Sequence, residues 1–399
     1  MKKIGLIGAF DRDNYGDILF PIIVEKALNS FTNNFEYTYF SLINANLKGI
    51  GGLETHSIRE MYEKNLDTSI VVGGEIIDAD WIAMHLNLID SQKEQYIYRF
   101  AYKILGRKFG NNYSRKKLKG KSKFPWIIDK NLVKNTKIIY NSVGGNTFTN
   151  KDRKDLEYIT DMLNNADYVS VRDNSTKKNI EDIGVKNVML SPDSAIIMSK
   201  YFNSDNFEHY LSNDFRIKHD SYKNEEYFCF QIGNFFALGN EEIIAKQLIQ
   251  ISKKYNKKII LLPLGIAAGH DDLVALEKIY NLIKNKVETE NIIDRNIYDI
   301  MFIISNSDMF IGTSLHGNIT ALSYGIRTIG LDNRVNKLSS FLRTFSVSDQ
   351  LYAVDYDNIE EAVEKTFSIS EKELSDNTDI LQNKVLTNFK EIYKIIEEL

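Results

Sequence analysis

Short apolar runs alternate with amphipathic stretches along most of the chain. The runs have strand length and the stretches have helix length. KKIGLIGAF, TSIVVGG, TKIIYNSVGG, ADYVSVRD, YFCFQIGN, KIILLPLG, SDMFIGTS and RTIGLD predict strands. Near-continuous hydrophobicity is the habit of parallel strands covered on both faces, so the pattern predicts an α/β fold with parallel sheets. Helices are predicted for DILFPIIVEKAL, with Pro21 confined to its first turn, and for 152–164, 175–183, 241–255, 271–284 and 317–324. Leu381, Val385, Phe389, Tyr393 and Ile396 recur at helical spacing within 371–399, predicting a closing helix.

The alternation runs in two series, separated by a polar stretch without clear periodicity at 203–226. This places an N-terminal domain at 1–202 and a C-terminal domain at 203–399. A length of 399 residues suits two or three domains. Composition is that of a folded protein, 43% hydrophobic and 26% charged, with no apolar run near the ~20 residues a bilayer span needs. Cys229 is the single cysteine, which excludes a disulfide scaffold and a cysteine-ligated metal. The apolar stretch after the first two lysines is interrupted by Gly8 and Asp11, too early for a signal peptide, and a cytoplasmic location is expected.

A net charge of −4 argues against nucleic-acid binding, but the charge is unevenly spread. From Arg99 to Lys130 there are eleven Lys/Arg and one acid, Asp129, interleaved with Phe100, Tyr102, Phe109, Tyr113, Phe124 and Trp126. That mixture suits peripheral contact with an anionic membrane or a polyanionic ligand, and equally a solvated surface insertion.

Candidate chemistry gathers where strands end. In GAFDRDNYGD, residues 8–17, a strand runs through Asn14 and Gly16 into a helix whose first N–H groups face an anion, with Asp17 placed to cap. The G-x-G-x-x-G dinucleotide pattern is absent. Two glycine pairs, Gly73–Gly74 and Gly144–Gly145, also end strands, where they make sharp turns or admit a ligand to the backbone. Arg172 and Asp173 end another strand, and a guanidinium there serves either a phosphate or a strand-end ion pair. His270, Asp271 and Asp272 follow LLPLG; capping by Asp271 is the simpler reading than a metal. The sharpest segment is FIGTSLHGNITALSYGIRTIGLD, residues 310–332. Ser314, Leu315, His316 and Gly317 stand where a strand hands over to a helix, and an imidazole there is placed to exchange protons near neutrality.

Taken in order, the Asn-Tyr-Gly-Asp turn, the Gly-Gly strand end, S-V-R-D, S-P-D, L-P-x-G and G-x-x-L-H-G resemble the polysaccharide pyruvyl transferase family over most of the chain. The resemblance implies two Rossmann-like domains facing across a cleft, as in GT-B glycosyltransferases. It also implies transfer of a pyruvyl group from phosphoenolpyruvate to two hydroxyls of a sugar, with a cyclic ketal and phosphate as products. His316 matches the family's acid/base, and Arg172 the arginine expected to meet phosphate or carboxylate. Lys337 falls where the family often has a lysine. Asn14, Gly16, Asp17, Gly74, Gly145, Ser314, Leu315 and Gly317 complete the expected substrate site, with no metal and no cofactor beyond the donor. Two departures stand out. Ser314 occupies the position of an arginine, and Gln231 ends a strand that often ends in arginine, so Lys337, Arg334 or Arg327 compensates or the donor differs. The acceptor is expected to be a saccharide of a surface polysaccharide or its lipid-linked precursor, met at the inner membrane face through 99–130. A nucleotide-sugar glycosyltransferase and a non-catalytic glycan-assembly protein are the alternatives.

Overall fold

A computed structural model describes residues 1–398 except 90, 134, 146–147, 150, 204, 266–270, 294–295, 333 and 348–353; His270 therefore lies outside the described residues. The first half is built on strands β1 (Lys2–Ile7), β2 (Phe35–Ser41), β3 (Ala45–Asn46), β4 (Glu54–Ser57), β5 (Thr68–Val72), β6 (Lys137–Val143), β7 (Tyr168–Val171) and β8 (Met189–Leu190). They lie in the order β3-β4-β2-β1-β5-β6-β7-β8, and all pairs are parallel except β3 with β4. The second half carries β9 (Tyr227–Gln231), β10 (Lys258–Leu261), β11 (Thr289–Asn291), β12 (Met309–Gly312) and β13 (Arg327–Gly330) in the all-parallel order β11-β10-β9-β12-β13.

Each sheet reverses its winding once. In the first the reversal lies between β1 and β5, with Ile7 beside Val71; in the second it lies between β9 and β12, with Gln231 beside Gly312. Loops leaving the carboxyl ends of two such strands diverge to opposite faces and leave a crevice, which is where open α/β sheets bind ligands. The two crevices face each other. Ile4, Leu6 and Ile70 from the first sheet share one apolar core with Cys229, Ile260 and Phe310 from the second. Asn14 forms an isolated bridge to Gly265, and Tyr15 N–H donates to the Leu264 carbonyl at 3.0 Å, so the first loop is stitched directly to the opposite half.

Two expectations are corrected by local physics. The first helix spans Tyr15–Asn29, so Pro21 sits inside it and not in its first turn. The missing Pro21 N–H forfeits one intrahelical bond, and burial of Phe20, Ile22, Ile23 and Val24 around it holds the helix together. Asp17 is in the first turn and not at the cap, which is Asn14. The polar stretch after residue 203 folds into short helical turns, Phe207–His209, Asn213–Arg216 and His219–Asn224. Phe207, Leu211, Phe215 and Tyr222 are buried there, too widely scattered among charges to show a period.

The last helix, Glu371–Glu397, opens with a Ser370–Glu373 capping box. It then crosses back to the first sheet. Asn388 Nδ2 donates to Asn141 Oδ1 at 2.8 Å and Asn388 Oδ1 accepts from the Tyr168 hydroxyl, while Lys2 Nζ caps the Ile396 carbonyl at 2.6 Å. On the way Gln382 Nε2 donates to the Ser323 carbonyl of the second half at 3.1 Å.

Candidate active site

Between the two crevices lies a cleft of about 410 Å³, lined from the first half by Arg12, Asn14, Asp17, Gly74, Glu75 and Arg172 and from the second by Gln231, Asp272, Ser314, Leu315, His316 and Lys337. Such volume and concavity suit a small ligand with few, well-placed polar contacts.

His316 stands in the first turn of the helix Leu315–Ser323, immediately after β12. Ser314 caps this helix, its Oγ accepting from Gly317 N–H at 3.2 Å. Ser314 is therefore a helix cap, and Gly317 N–H is occupied by it and not turned to a ligand. The His316 side chain is 11% exposed. Its Nε2 faces Asp193 Oδ2 at 3.6 Å, its ring packs edge-on to Phe20, and its Nδ1 lies against Gly16. Nε2 and Asp193 Oδ2 are both buried without a hydrogen bond, being slightly too far apart for one.

Arg172 leaves the end of β7 and is 1% exposed. Its guanidinium is bound by Glu75 and flanked by Asp173 and Asp193, each at 3.8 Å. Burial works against its charge, but Glu75, Asp193 and Asp173 together hold its pKa above the usual arginine value. The strand-end pairing with Asp173 is thus part of a wider network, and Nε remains unsatisfied. The two glycine pairs meet beneath it. Gly144 N–H donates to the Gly74 carbonyl at 2.8 Å, Gly74 has φ of 75°, and a Cβ on Gly144 would stand 2.7 Å from the guanidinium. Gly145 is a neighbour of this arrangement but not of the cleft; its N–H donates to Thr176 Oγ1.

Lys337, in the first turn of the helix Asn336–Phe345, forms no hydrogen bond or ion pair with the described residues. Burial, then the charge of Arg172, lowers its pKa, against the pull of Glu75 and Asp17. Asp17 itself accepts from Asn14 Nδ2 at 2.8 Å. Of the other cations expected to compensate, Arg334 binds Asp332 and Arg327 donates to the Ile369 carbonyl; neither lines the cleft. Arg12 does, with Nε and Nη2 on Asp11 at 3.2 and 3.1 Å.

The second-half floor is a polar cluster. Gln231 accepts from Ser314 N–H at 2.8 Å and donates to Asp272 Oδ2 at 2.9 Å, which also accepts from the N–H groups of Leu264 and Gly265. Burial pushes Asp272 up to about 6 despite these bonds. Capping by Asp271 is corrected here: it sits at the cap position with φ of 47° and no side-chain bond, and Asp272 satisfies the preceding loop instead.

Sequence reasoning missed Arg12, Glu75 and Asp193 as cleft or cleft-wall groups. Arg12 and Asp193 lie within the segments singled out, and Glu75 follows Gly74 directly. What was not visible was that Glu75 and Asp193 both converge on Arg172, Glu75 from 97 positions away.

The polysaccharide pyruvyl transferase family profile matches residues 14–334, the stretch that contributes most of both walls of this cleft. The chain belongs to this family. No curated protein sequence matches it. In fold, this pyruvyl transferase family member is similar to an S. aureus MnaA–UDP co-structure, with TM-score 0.56, 13% identity, and coverage of 100% of this chain and 98% of the other. It is also similar to a UDP-GlcNAc 2-epimerase from Neisseria meningitidis bound to UDP-GlcNAc, with TM-score 0.53, 10% identity and coverage of 99% and 100%. A glycosyltransferase from Rickettsia africae gives TM-score 0.55, 13% identity and coverage of 100% and 99%. The family member therefore has the GT-B-like arrangement of two Rossmann-like halves, and its family is one of transferases acting on polysaccharides.

Proposed function

We propose that the protein transfers a pyruvyl group from phosphoenolpyruvate to two hydroxyls of a saccharide, free or lipid-linked, in the assembly of a bacterial surface polysaccharide. The observation that carries this reading is the meeting of His316, Lys337 and Arg172 at one interdomain cleft in a chain of this family. Phosphoenolpyruvate carries two anionic groups on a three-carbon skeleton and needs cations, a proton donor and little water.

His316 gives a proton to the methylene carbon, and positive charge develops at the carbon bearing the phosphate. A sugar hydroxyl forms a C–O bond to that carbon and gives its proton back to the imidazole of His316, which the first transfer left neutral. The second hydroxyl then attacks the same carbon, the bond to phosphate breaks, and phosphate leaves with the proton as the ketal ring closes. Lys337 and Arg12 hold the anion. Arg172 is already engaged by three carboxylates and fixes their positions as much as it attracts substrate. Asn14 and Asp17 orient acceptor hydroxyls, and Asp193 steers the imidazole.

The UDP and UDP-GlcNAc in the similar structures favour a second reading, a glycosyltransferase taking a nucleotide sugar. Thermal melting separates the two. Phosphoenolpyruvate at a hundred times its dissociation constant is expected to add about 2.7 kcal/mol of stability, and UDP-sugars nothing. Stabilisation by a UDP-sugar alone would reject the pyruvyl reading.

A further inference from the structure

The basic segment divides into a buried part and a displayed part. Tyr102, Phe124 and Trp126 are core residues, so the aromatic content of 99–130 is only partly available to a partner. The displayed part is a pair of helices, Gln92–Leu105 and Arg107–Lys117. On the first, Ile97, Phe100 and Ile104 recur at spacings of three and four and form one outward stripe, with Ile104 66% exposed. Tyr96, Leu105 and Phe109 widen it, all more than half exposed. Over residues 93–121 the chain carries ten Lys/Arg and a single acid, Glu94.

The pair is anchored to the cleft wall. Tyr102 OH is 2.8 Å from His85 Nδ1 and 2.9 Å from Ser114 Oγ, and Arg107 binds Asp80, which caps the helix Trp81–Asn87. Met84 and Asn87 of that helix line the cleft.

We infer that this helix pair is a docking surface for an anionic bilayer, lying in the headgroup plane with its apolar stripe inserted. Like charges oppose a second copy binding through the same face, and aliphatic side chains such as Ile97 and Ile104 offer little to a nucleic-acid backbone. An amphipathic helix with a basic flank matches both layers of a membrane interface, and among the described residues no helix is long and apolar enough to cross one. The bilayer contact stands on the helix pair alone. Its consequence, that the acceptor is a saccharide carried on a lipid, rests on the transferase reading.

Vesicle co-sedimentation of the full chain tests the contact. Vesicles of phosphatidylcholine with about one-third phosphatidylglycerol are expected to bind it at least tenfold more tightly than phosphatidylcholine alone, with release at high salt. Phe100→Ser with Ile104→Ser, and separately Lys103→Glu with Lys116→Glu, each lose at least tenfold; both pairs are exposed and leave phosphoenolpyruvate stabilisation unchanged. Equal binding to both vesicles, no binding to either, or variants that bind like wild type overturn the inference. So does a concentration-dependent dimer that Phe100→Ser dissolves, or capture of single-stranded RNA without vesicle binding. Loss of phosphoenolpyruvate stabilisation with vesicle binding intact overturns only the donor assignment.

Discussion

The α-carbon of Gly16 rests against the imidazole of His316, across the gap between the two sheets and three hundred positions away in sequence. Any Cβ at 16 would overlap the ring. Gly16 lies in a helix, so alanine there suits the backbone and its penalty falls on the histidine. Gly16→Ala is expected to lower turnover by about a hundredfold, as a misplacement near 1 Å does, while the variant still melts cooperatively. Wild-type turnover in steady-state assays with phosphoenolpyruvate would show that the contact is packing only.

Removing the proton donor itself is a stronger test. His316→Gln keeps the ring's volume approximately and its polarity, and is expected to cut turnover by about 10²–10⁴-fold with little change in phosphoenolpyruvate stabilisation. A loss confined to KM would assign His316 to binding.

Lys337→Met addresses the anion. Charge-assisted contacts are worth about 1.5–3 kcal/mol, so phosphoenolpyruvate is expected to bind about 10- to 100-fold more weakly by calorimetry. Since burial disfavours the ammonium, the melting temperature of the free protein is expected to hold or rise. An unchanged affinity excludes Lys337 from the donor site.

Asp272 makes stability depend on pH. Its carboxyl is raised from 3.8 to about 6, so the native state holds a proton that the unfolded chain releases. The native advantage is complete below pH 4 and is lost as pH rises to about 6, on the order of 3 kcal/mol at most from the shift. Denaturant titrations from pH 4 to 7 are expected to show this fall superimposed on other groups, and Asp272→Asn to remove it. An identical pH profile in the variant would contradict the assignment.

Ser314 has a structural duty as the cap of the helix Leu315–Ser323. Ser314→Ala is expected to cost about 1 kcal/mol in chemical unfolding, the usual worth of a helix cap. A neutral substitution would mean that the cap is replaced by solvent.

The parallel strands were legible because burial on both faces writes itself as unbroken apolar runs, as in Thr68–Val72 and Tyr227–Gln231. Strand Phe35–Ser41 was not, since its middle residues are only half-buried and its tyrosines and glutamate blur the pattern. Likewise the place of His316 followed from one strand and the helix after it, a local matter. The environment of Arg172 did not: Glu75 and Asp193 reach it from different loops, and only the sheet order brings those loops together. The same holds for Gln231, whose partner Asp272 lies beyond two intervening helices and a strand.

The return of the last helix to the first sheet means that the peptide passes between the two halves twice, once after β8 and again along the last helix between Gln382 and Asn388. A single linker would let the halves swivel freely. Two adjacent crossings, joined where Gln382 donates to Ser199 Oγ, act like the pins of a door and restrict any opening of the cleft to rotation about the line between them.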